Sequence, residues 1–460
     1  MNTIVIQNCK NFINKILSFM NKSKIKKLEE LETGLETITN DFILNMMKIY
    51  LENLDKEIKA DKKWRKENGI VVERNNDKRE IVTKSGLLTY YRTYYCDKKK
   101  GTYIYLVDEA LGIKPYDRVS TAVAADMVEY SSDNSYAKSS KYAACGIVSR
   151  QTVMNKTRKV NEEKLKIETK GPKRKVQVLH IDADEDHVAL QDGKNAIVPL
   201  ITIYEGTKRI AKRGECINPH HIHGFGQDLE ETWLKVANYI YDRYDIDYLK
   251  RIYIHGDGAL WIKTGQEWLP KSKMVLDKYH LNKALLEATA GQWQYRKAIY
   301  SSIYEGDLPR FCKLVDELKH NVQSPKKRKR INQFKNYIKN NWEAITIYKQ
   351  DGVDGSCTEG HISHVLSSRF SSRPMGWSKK GLKAIADIRI YCQNGGKITP
   401  NHFTKAKQQY NIKLETIKKA KEVFSKTTYE KLNNIPVFNM GKKTPISTIL
   451  KGIQRSGYAI

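Results

Sequence analysis

The chain has 460 residues, 81 Lys and Arg against 52 Asp and Glu, and therefore a formal net charge of +29. Its apolar fraction of 40% excludes a disordered chain, and the lack of any run of about 18 apolar residues excludes a membrane-spanning helix. A length above about 300 residues predicts more than one domain, and so large a positive excess favours nucleic acid as the partner over an anionic membrane surface.

The positive charge is concentrated in the last third of the chain. Residues 301–460 carry 30 basic and 12 acidic side chains, a net +18, whereas residues 171–300 carry 19 and 17, a net +2. The seven cysteines are scattered along the sequence without a Cys-x-x-Cys pair. This pattern excludes a zinc ribbon and indicates free thiols in a reducing cytoplasm.

The first predicted element is a helical region over residues 1–60. In its second half, apolar side chains recur at spacings of three and four residues, at Leu28, Leu31, Leu35, Ile38 and Phe42. The stripe is compatible with packing on the helix's own domain and with a short dimerising coiled coil.

A β-hairpin is predicted in the first half of residues 61–170. Three runs rich in β-branched and aromatic residues, separated by Gly- and Lys-containing turns, lie at 81–83, 87–95 and 103–106. A small antiparallel sheet with basic turns follows from this pattern.

A helix-turn-helix is predicted in the second half of residues 61–170, which makes this segment a candidate DNA-binding region. Two short helices at 135–144 and 149–158 are joined by a turn that contains Gly146. The second helix would offer four polar side chains to base edges: Arg150, Gln151, Thr152 and Asn155. A pair of helices that pack only for structural reasons fits the same pattern.

Four carboxylates stand close together after an apolar strand at 176–181. They are Asp182, Asp184, Glu185 and Asp186, and their charges repel one another. Lys or Arg side chains could offset this charge, and so could Mg²⁺ or Mn²⁺, which prefer hard oxygen ligands. An EF-hand loop starting at Asp182 is excluded because its sixth and twelfth positions hold His187 and Gly193. A solvated acidic turn is the alternative.

The next segment is predicted to build an α/β sheet. Strands are expected at 195–206, within 207–218, at 249–258 and at 274–280, with a helix at 228–243. Since the strand at 249–258 holds Asp257 at its carboxyl end, the sheet would bring Asp257 towards Asp182.

Two other segments of this half of the chain leave alternatives open. The histidine cluster at 220–223 lacks a fourth spaced metal ligand, so we expect a loop or a DNA contact there. Residues 281–350 are helical and polar, and their basic run at 325–330 fits either a solvated loop or a phosphate contact.

Glu359 begins a predicted helix that also carries His361 and His364. Their spacing differs from His-Glu-x-x-His, so a zinc protease is not expected. The residues that follow supply two guanidinium groups and an indole, Arg369, Arg373 and Trp377, which suit phosphate contact and base stacking.

Four long motifs resemble a family of bacterial insertion-sequence transposases, the Lre type, which is also filed as an uncharacterised protein family and is related to Mutator-like transposases. The motifs are IDADEDHVALQDG (181–193), YIHGDGALWIK (253–263), VLDKYHLNK (275–283) and CTEGHISHVLSSRFSSRPMGW (357–377). The resemblance covers nearly the whole chain.

The resemblance implies a ribonuclease-H-like core with two Asp residues and one Glu that hold two Mg²⁺ or Mn²⁺ ions. Carried over, Asp182 would be the acid of the first strand, Asp257 that of the fourth and Glu359 that of the helix after an insertion. Asp184, two residues after Asp182, is the alternative to Asp182 as the first metal ligand. His280, a candidate DNA contact, matches the histidine of a Cys-x-x-His pair that Mutator-type enzymes carry after the second Asp, with Asp277 in place of the Cys.

The implied domain order is a core of two parts with a helical insertion between them. The core would cover residues 171–285 and 351–400, the insertion 286–350, and a basic helical tail 401–460. The implied partners are double-stranded DNA, as terminal inverted repeats and target, and further copies of the chain, at the nucleoid of a bacterial cytoplasm. The alternatives are a catalytically inactive DNA-binding relative and a ribonuclease-H-like nuclease.

Overall fold

The computed structural model describes most of the chain as two units. The described residues are 2–22, 25–167, 171–210, 213–351, 353, 355–373 and 375–403. The N-terminal unit comprises Met1–Met127, Tyr136–Val153 and Thr399–Ile460, and the core unit comprises Val128–Ser135 and Met154–Ile398. The predicted basic tail lies, from residue 404 onward, outside the described residues.

Helices and a three-stranded antiparallel sheet form the N-terminal unit. In chain order they are α1 (Asn2–Lys22), α2 (Leu28–Ala60), α3 (Lys62–Asn68), β1 (Ile70–Thr83), β2 (Gly86–Asp97), β3 (Thr102–Ile104) and α4 (Leu106–Ala110). β2 buries Tyr90 and Tyr95 against Leu54 and Ile58 of α2, and both face this core because the alternation changes phase at Arg92 and Thr93, opposite the register shifts of β1. The predicted hairpin is confirmed, and β1 is longer than predicted because its polar residues pair along β2.

Three helices follow: α5 (Thr121–Asp133), α6 (Tyr136–Ala144) and α7 (Arg150–Thr157). The turn between α6 and α7 contains Cys145 and Gly146, both with positive φ, at 49° and 72°. The Ser149 hydroxyl accepts a hydrogen bond from the Thr152 N–H at 3.4 Å, so it caps α7. Both predicted helices are therefore confirmed to within about two residues.

The core unit is built on a mixed five-stranded sheet, which confirms the predicted α/β class. The strands of the unit are β4 (Val178–Ala189), β5 (Asn195–Tyr204), β6 (Thr207–Ile210), β7 (Arg213–Cys216), β8 (His220–His223), β9 (Arg251–Gly256) and β10 (Ser272–Leu276). The sheet order is β10-β9-β4-β5-β8. Pairing is antiparallel from β4 through β5 to β8, and parallel from β4 through β9 to β10.

The third strand of this sheet differs from the prediction. β6 and β7 form a separate two-stranded ribbon, and the sheet is completed by β8 instead. The ribbon is polar, with Lys208 facing Glu215, so it has no apolar face to bury. In β8 both His221 and His223 are buried, and they bond to Thr202 and Asp387. The expected loop or DNA contact at 220–223 is therefore corrected to a structural strand.

Helices cover the sheet and form the region after β10. They are α8 (Leu229–Arg243), α9 (Leu260–Lys263), α10 (Gly265–Trp268), α11 (Lys278–Ala288), α12 (Trp293–Glu305), α13 (Leu308–His320), α14 (Pro325–Asn340), α15 (Trp342–Gln350), α16 (Thr358–His361), a π-helical stretch (Ile362–Ser367), α17 (Ser368–Phe370) and α18 (Lys379–Gln393), with 3₁₀ turns at Glu162–Lys164 and Pro400–His402. Trp233 and Ile240 of α8 pack on the sheet. The apolar sides of α12 to α15 belong to the same hydrophobic core.

The basic run at 325–330 is the start of a helix, not a loop. Pro325 occupies the first turn of α14, and the following cations are exposed. Within the described ranges, none of the helices has the length and apolar character that crossing a bilayer requires.

Candidate functional site

The register between β4 and β9 brings two acids to the same level. Asp182 pairs with His255, so two residues further along these parallel strands lie Asp184 and Asp257. The close approach depends on Gly256, where a Cβ atom would lie 2.9 Å from the Ala183 carbonyl oxygen. Asp257, directly after β9, accepts a hydrogen bond from the Ala259 N–H at 2.8 Å, which fixes its carboxylate.

Glu359 joins these two residues in one electrostatic cluster. Burial raises the pKa of Asp184 to about 6, and the negative charges of Asp257 and Glu359 act in the same direction. The half-buried His280 opposes them. We call Asp184, Asp257 and Glu359 the acid cluster. Glu359 is exposed and lines an open cleft of about 850 Å³.

Asp182 lies deeper and is already bonded on both oxygens. It is 2% exposed, and it accepts hydrogen bonds from the Tyr204 hydroxyl at 3.1 Å and the Cys357 N–H at 2.9 Å. Its second oxygen also lies 3.1 Å from Nδ1 of His361. Asp182 therefore ties the centre of the sheet to the start of the helix that bears Glu359. Asp184, two residues further along β4, is the acid that the register sets level with Asp257.

Arg389 of α18 holds the other end of that helix. Its guanidinium is 3% exposed and donates hydrogen bonds to the carbonyl oxygens of His364, at 2.7 Å, and of Val365. Both carbonyls belong to the π-helical stretch, whose wider turns leave main-chain groups in need of partners. The same guanidinium donates to Ser368 Oγ at 3.0 Å. These contacts were not predictable, because no local pattern links residue 389 to residues 364–368.

Asp277, which occupies the cysteine position of the implied Cys-x-x-His pair, caps the start of α11. Its carboxylate accepts the N–H of Tyr279 at 2.6 Å and the hydroxyl of Ser356, so it joins α11 to the segment before Glu359. Nδ1 of His280 lies 3.9 Å from the nearer Asp277 oxygen. His280 is thus placed between this cap and Asp184.

The donor set of the acid cluster fits a divalent cation. Three carboxylates provide the oxygen ligands that Mg²⁺ and Mn²⁺ prefer, and a cation would offset both the burial that raises the pKa of Asp184 and the smaller repulsion from Asp257 and Glu359. As the side chains stand in the described ranges, no group of three or more His, Cys, Asp or Glu residues is gathered around one point.

The predicted DNA-contacting residues fall into two groups. Arg150, Gln151 and Asn155 of α7 are exposed, and Thr152 is half-buried. Arg373 is also exposed.

Arg369 and Trp377 are buried instead, at 5% and 7% exposure. The Arg369 guanidinium donates to the Ser131 carbonyl at 3.0 Å and lies over the Trp377 ring, 4.8 Å from its centroid. This burial corrects the expectation that they contact DNA, and we leave both out of the proposed interface.

Replacing Asp184 with Asn should stabilise the metal-free protein. The folded-state pKa is raised above the unfolded value of 3.8, so ionisation costs stability: the cost is absent below about pH 3, where both states are protonated, and complete above about pH 7. We expect a gain of about 1–3 kcal/mol above about pH 7 and none at about pH 3. Urea denaturation in EDTA measures it, with the exposed Asp192→Asn as control. An unchanged urea midpoint at neutral pH would contradict this assignment.

A family model described as "Uncharacterised protein family (UPF0236)" matches residues 22–407. A UPF0236 protein of Caldanaerobacter subterraneus subsp. tengcongensis is 41% identical over 458 residues, which cover 98% of this chain and 97% of the relative; its printed name joins four locus designations. Another from the same strain is 40% identical over 459 residues, 98% of this chain and 97% of the relative, and its name joins eleven. A third, the "UPF0236 protein in vanSb 3'region" of Streptococcus gallolyticus, is 24% identical over 388 residues, 80% of this chain and 84% of the relative.

Proposed function

The chain belongs to the uncharacterised protein family UPF0236, and from the acid cluster we propose that it is a DNA transposase of an insertion sequence. The observation that carries the proposal is the placement of three acids: the β4–β9 register sets Asp184 level with Asp257, and the hydrogen bond from the Cys357 N–H to Asp182 holds the start of the Glu359 helix against β4. They come from the first strand of the sheet, the end of its fourth strand and a helix that follows a helical insertion. This is the order that the resemblance to Lre-type transposases implies, with Asp184 in place of Asp182.

The sheet supports a ribonuclease-H-like core. Numbered along the chain, its five strands lie in the order 3-2-1-4-5, with the first strand in the centre and only the second strand antiparallel to the other four. Asp184 lies in the middle of β4 and Asp257 directly after β9, and the parallel register of the two strands sets these acids level with each other.

In the proposed mechanism the carboxylates of the acid cluster would hold two Mg²⁺ or Mn²⁺ ions beside the scissile phosphate. Bound there, the ions would lower the pKa of an attacking water or 3′-hydroxyl and stabilise the leaving oxygen. The chain's own contribution is positioning. Gly256 lets Asp257 approach Asp184, while Asp182 and Arg389 fix the Glu359 helix at its two ends. Such fixed geometry is what in-line attack on phosphorus requires.

The partner in this proposal is DNA. The exposed Arg150, Gln151 and Asn155 of α7 would contact the terminal repeats, and the net charge of +29 would supply the phosphate affinity. Holding two element ends would call for more than one copy of the chain, at the bacterial nucleoid.

The number of loci that encode each relative supports the proposal independently. One protein from a single strain carries eleven locus designations, and another carries four. A coding sequence that recurs in this way within one genome is typical of a mobile element.

A cleavage and joining assay tests the proposal. The full chain is incubated with Mn²⁺, a target plasmid and DNA that carries its own genomic flanks. We expect cuts at the element ends and covalent joining of those ends to the plasmid. Cutting without joining would indicate a nuclease with the same site, and DNA binding without cutting would indicate a catalytically inactive relative; either result rejects the transposase.

A further inference from the structure

Helix α12 presents aromatic side chains to solvent. Trp293 is 77% exposed, Tyr300 45% and Tyr304 74%. Their spacings of seven and four residues place them on one face of the helix, together with the exposed Lys297. The opposite face is buried through Ile299 and its neighbours, so the exposed rings are not needed for packing. A contiguous exposed aromatic surface of this kind indicates a binding site.

A cleft of about 570 Å³ lies between this face and α11. Leu285 and Leu286 of α11 form one wall, and Trp293 and Tyr300 of α12 form the other. Leu286 is 48% exposed, so the wall formed by α11 is apolar and open to solvent. Aromatic rings opposite an apolar wall suit a flat aromatic ligand.

The surroundings of the cleft are basic. Arg296 and Lys297 line it, and no carboxylate is among its lining side chains. The exposed basic run 326–330 at the start of α14 lies close by, since Lys327 Nζ is 3.7 Å from the position that a Cβ atom on Gly291 would take. Stacking rings flanked by cations are the equipment of single-stranded nucleic-acid sites.

The cleft is close to the acid cluster. Helix α11 begins beside Asp184 with His280, and Leu286 follows six residues later, about 9 Å further along the helix axis. Nucleotides in a stacked strand are spaced by about 3.4 Å, so this distance corresponds to about three nucleotides.

We propose that the cleft between α11 and α12 stacks unpaired bases within about three nucleotides of the phosphate held by the acid cluster. This rests on the proposed function for the identity of the partner. Base faces are free to stack only where the strand is unpaired, which is the state of an overhang or a frayed element end. The ring contacts carry no base-specific hydrogen bonds, so the cleft takes any sequence.

The test compares two fluorescein-labelled duplexes of mixed sequence, one blunt and one with a five-nucleotide single-stranded overhang. Dissociation constants are measured by anisotropy with the full chain, in EDTA and at fixed salt. Wild type should prefer the overhang, and Trp293→Ala should weaken overhang binding by about 5- to 100-fold while blunt-duplex binding stays within about 2-fold. The control is Tyr241→Ala, another exposed aromatic of the core unit, which Lys173 overlies at 4.1 Å; it should behave as wild type.

Equal binding of both duplexes by wild type, or unchanged overhang binding by Trp293→Ala, would overturn the inference. Failure of the proposed function is a separate result, because it appears as the absence of metal-dependent cutting.

Discussion

Metal-dependent cutting of element-end DNA should fall by about 10³-fold or more in Asp257→Asn, with DNA affinity unchanged. An ion at such a site supplies several kcal/mol of transition-state stabilisation, and each 1.36 kcal/mol is about tenfold in rate. Asn has the shape of Asp and can still accept the Ala259 N–H with its amide oxygen, so the fold should be kept. A gel assay of nicking in Mn²⁺ gives the rate, and anisotropy in EDTA gives the affinity.

Matched variants make this result specific. Asp184→Asn and Glu359→Gln should be as inactive as Asp257→Asn, whereas the exposed Asp192→Asn in the β4–β5 turn should cut normally. Asp182→Asn tests the assignment of the first acid, because its expected effect is on the position of the Glu359 helix. Full cutting by Asp184→Asn, with none by Asp182→Asn, would return the first position of the triad to Asp182.

Arg389→Met should lower the stability of the core unit by about 3–5 kcal/mol. The variant keeps the length of the side chain but leaves the carbonyls of His364, Val365 and Ser132 buried without their donor. Each unsatisfied buried group costs about 1–3 kcal/mol, and loss of a buried charged partner typically costs about 3–5 kcal/mol.

Urea denaturation followed by tryptophan fluorescence measures the loss, since six of the seven tryptophans, all but Trp64, belong to the core unit. Arg373→Met is the control, because Arg373 is exposed, and its midpoint should hardly move. Equal midpoints for both variants would mean that Arg389 does not hold the π-helical stretch.

Features with a local signal were predictable from the sequence. The cap at Ser149 and the glycine turn at Gly146 lie within a few residues of the helices they delimit, so α6 and α7 were located closely. Asp257 and Glu359 stand out for similar reasons, because each follows an apolar strand or opens a helix.

Long-range pairing was not predictable in the same way. Asp182 and Asp184 are two residues apart on β4, and side-chain alternation places both on one face of the sheet. Only the register with β9, about 70 residues away, decides which of them meets Asp257. The burial of Arg369 has the same origin, since the Ser131 carbonyl that accepts its hydrogen bond lies 238 positions earlier.

The π-helical stretch Ile362–Ser367 has a consequence for the evolution of this family. It lies between Glu359 and the buried residues Arg369 and Phe370, and a π turn holds more residues than an α turn. Deleting one residue there would restore an α-helix and swing the glutamate by about 100° around the axis, because Arg369 and Phe370 stay anchored. If the proposed function holds, a single-codon deletion in this stretch would then inactivate a copy that still encodes all three acids.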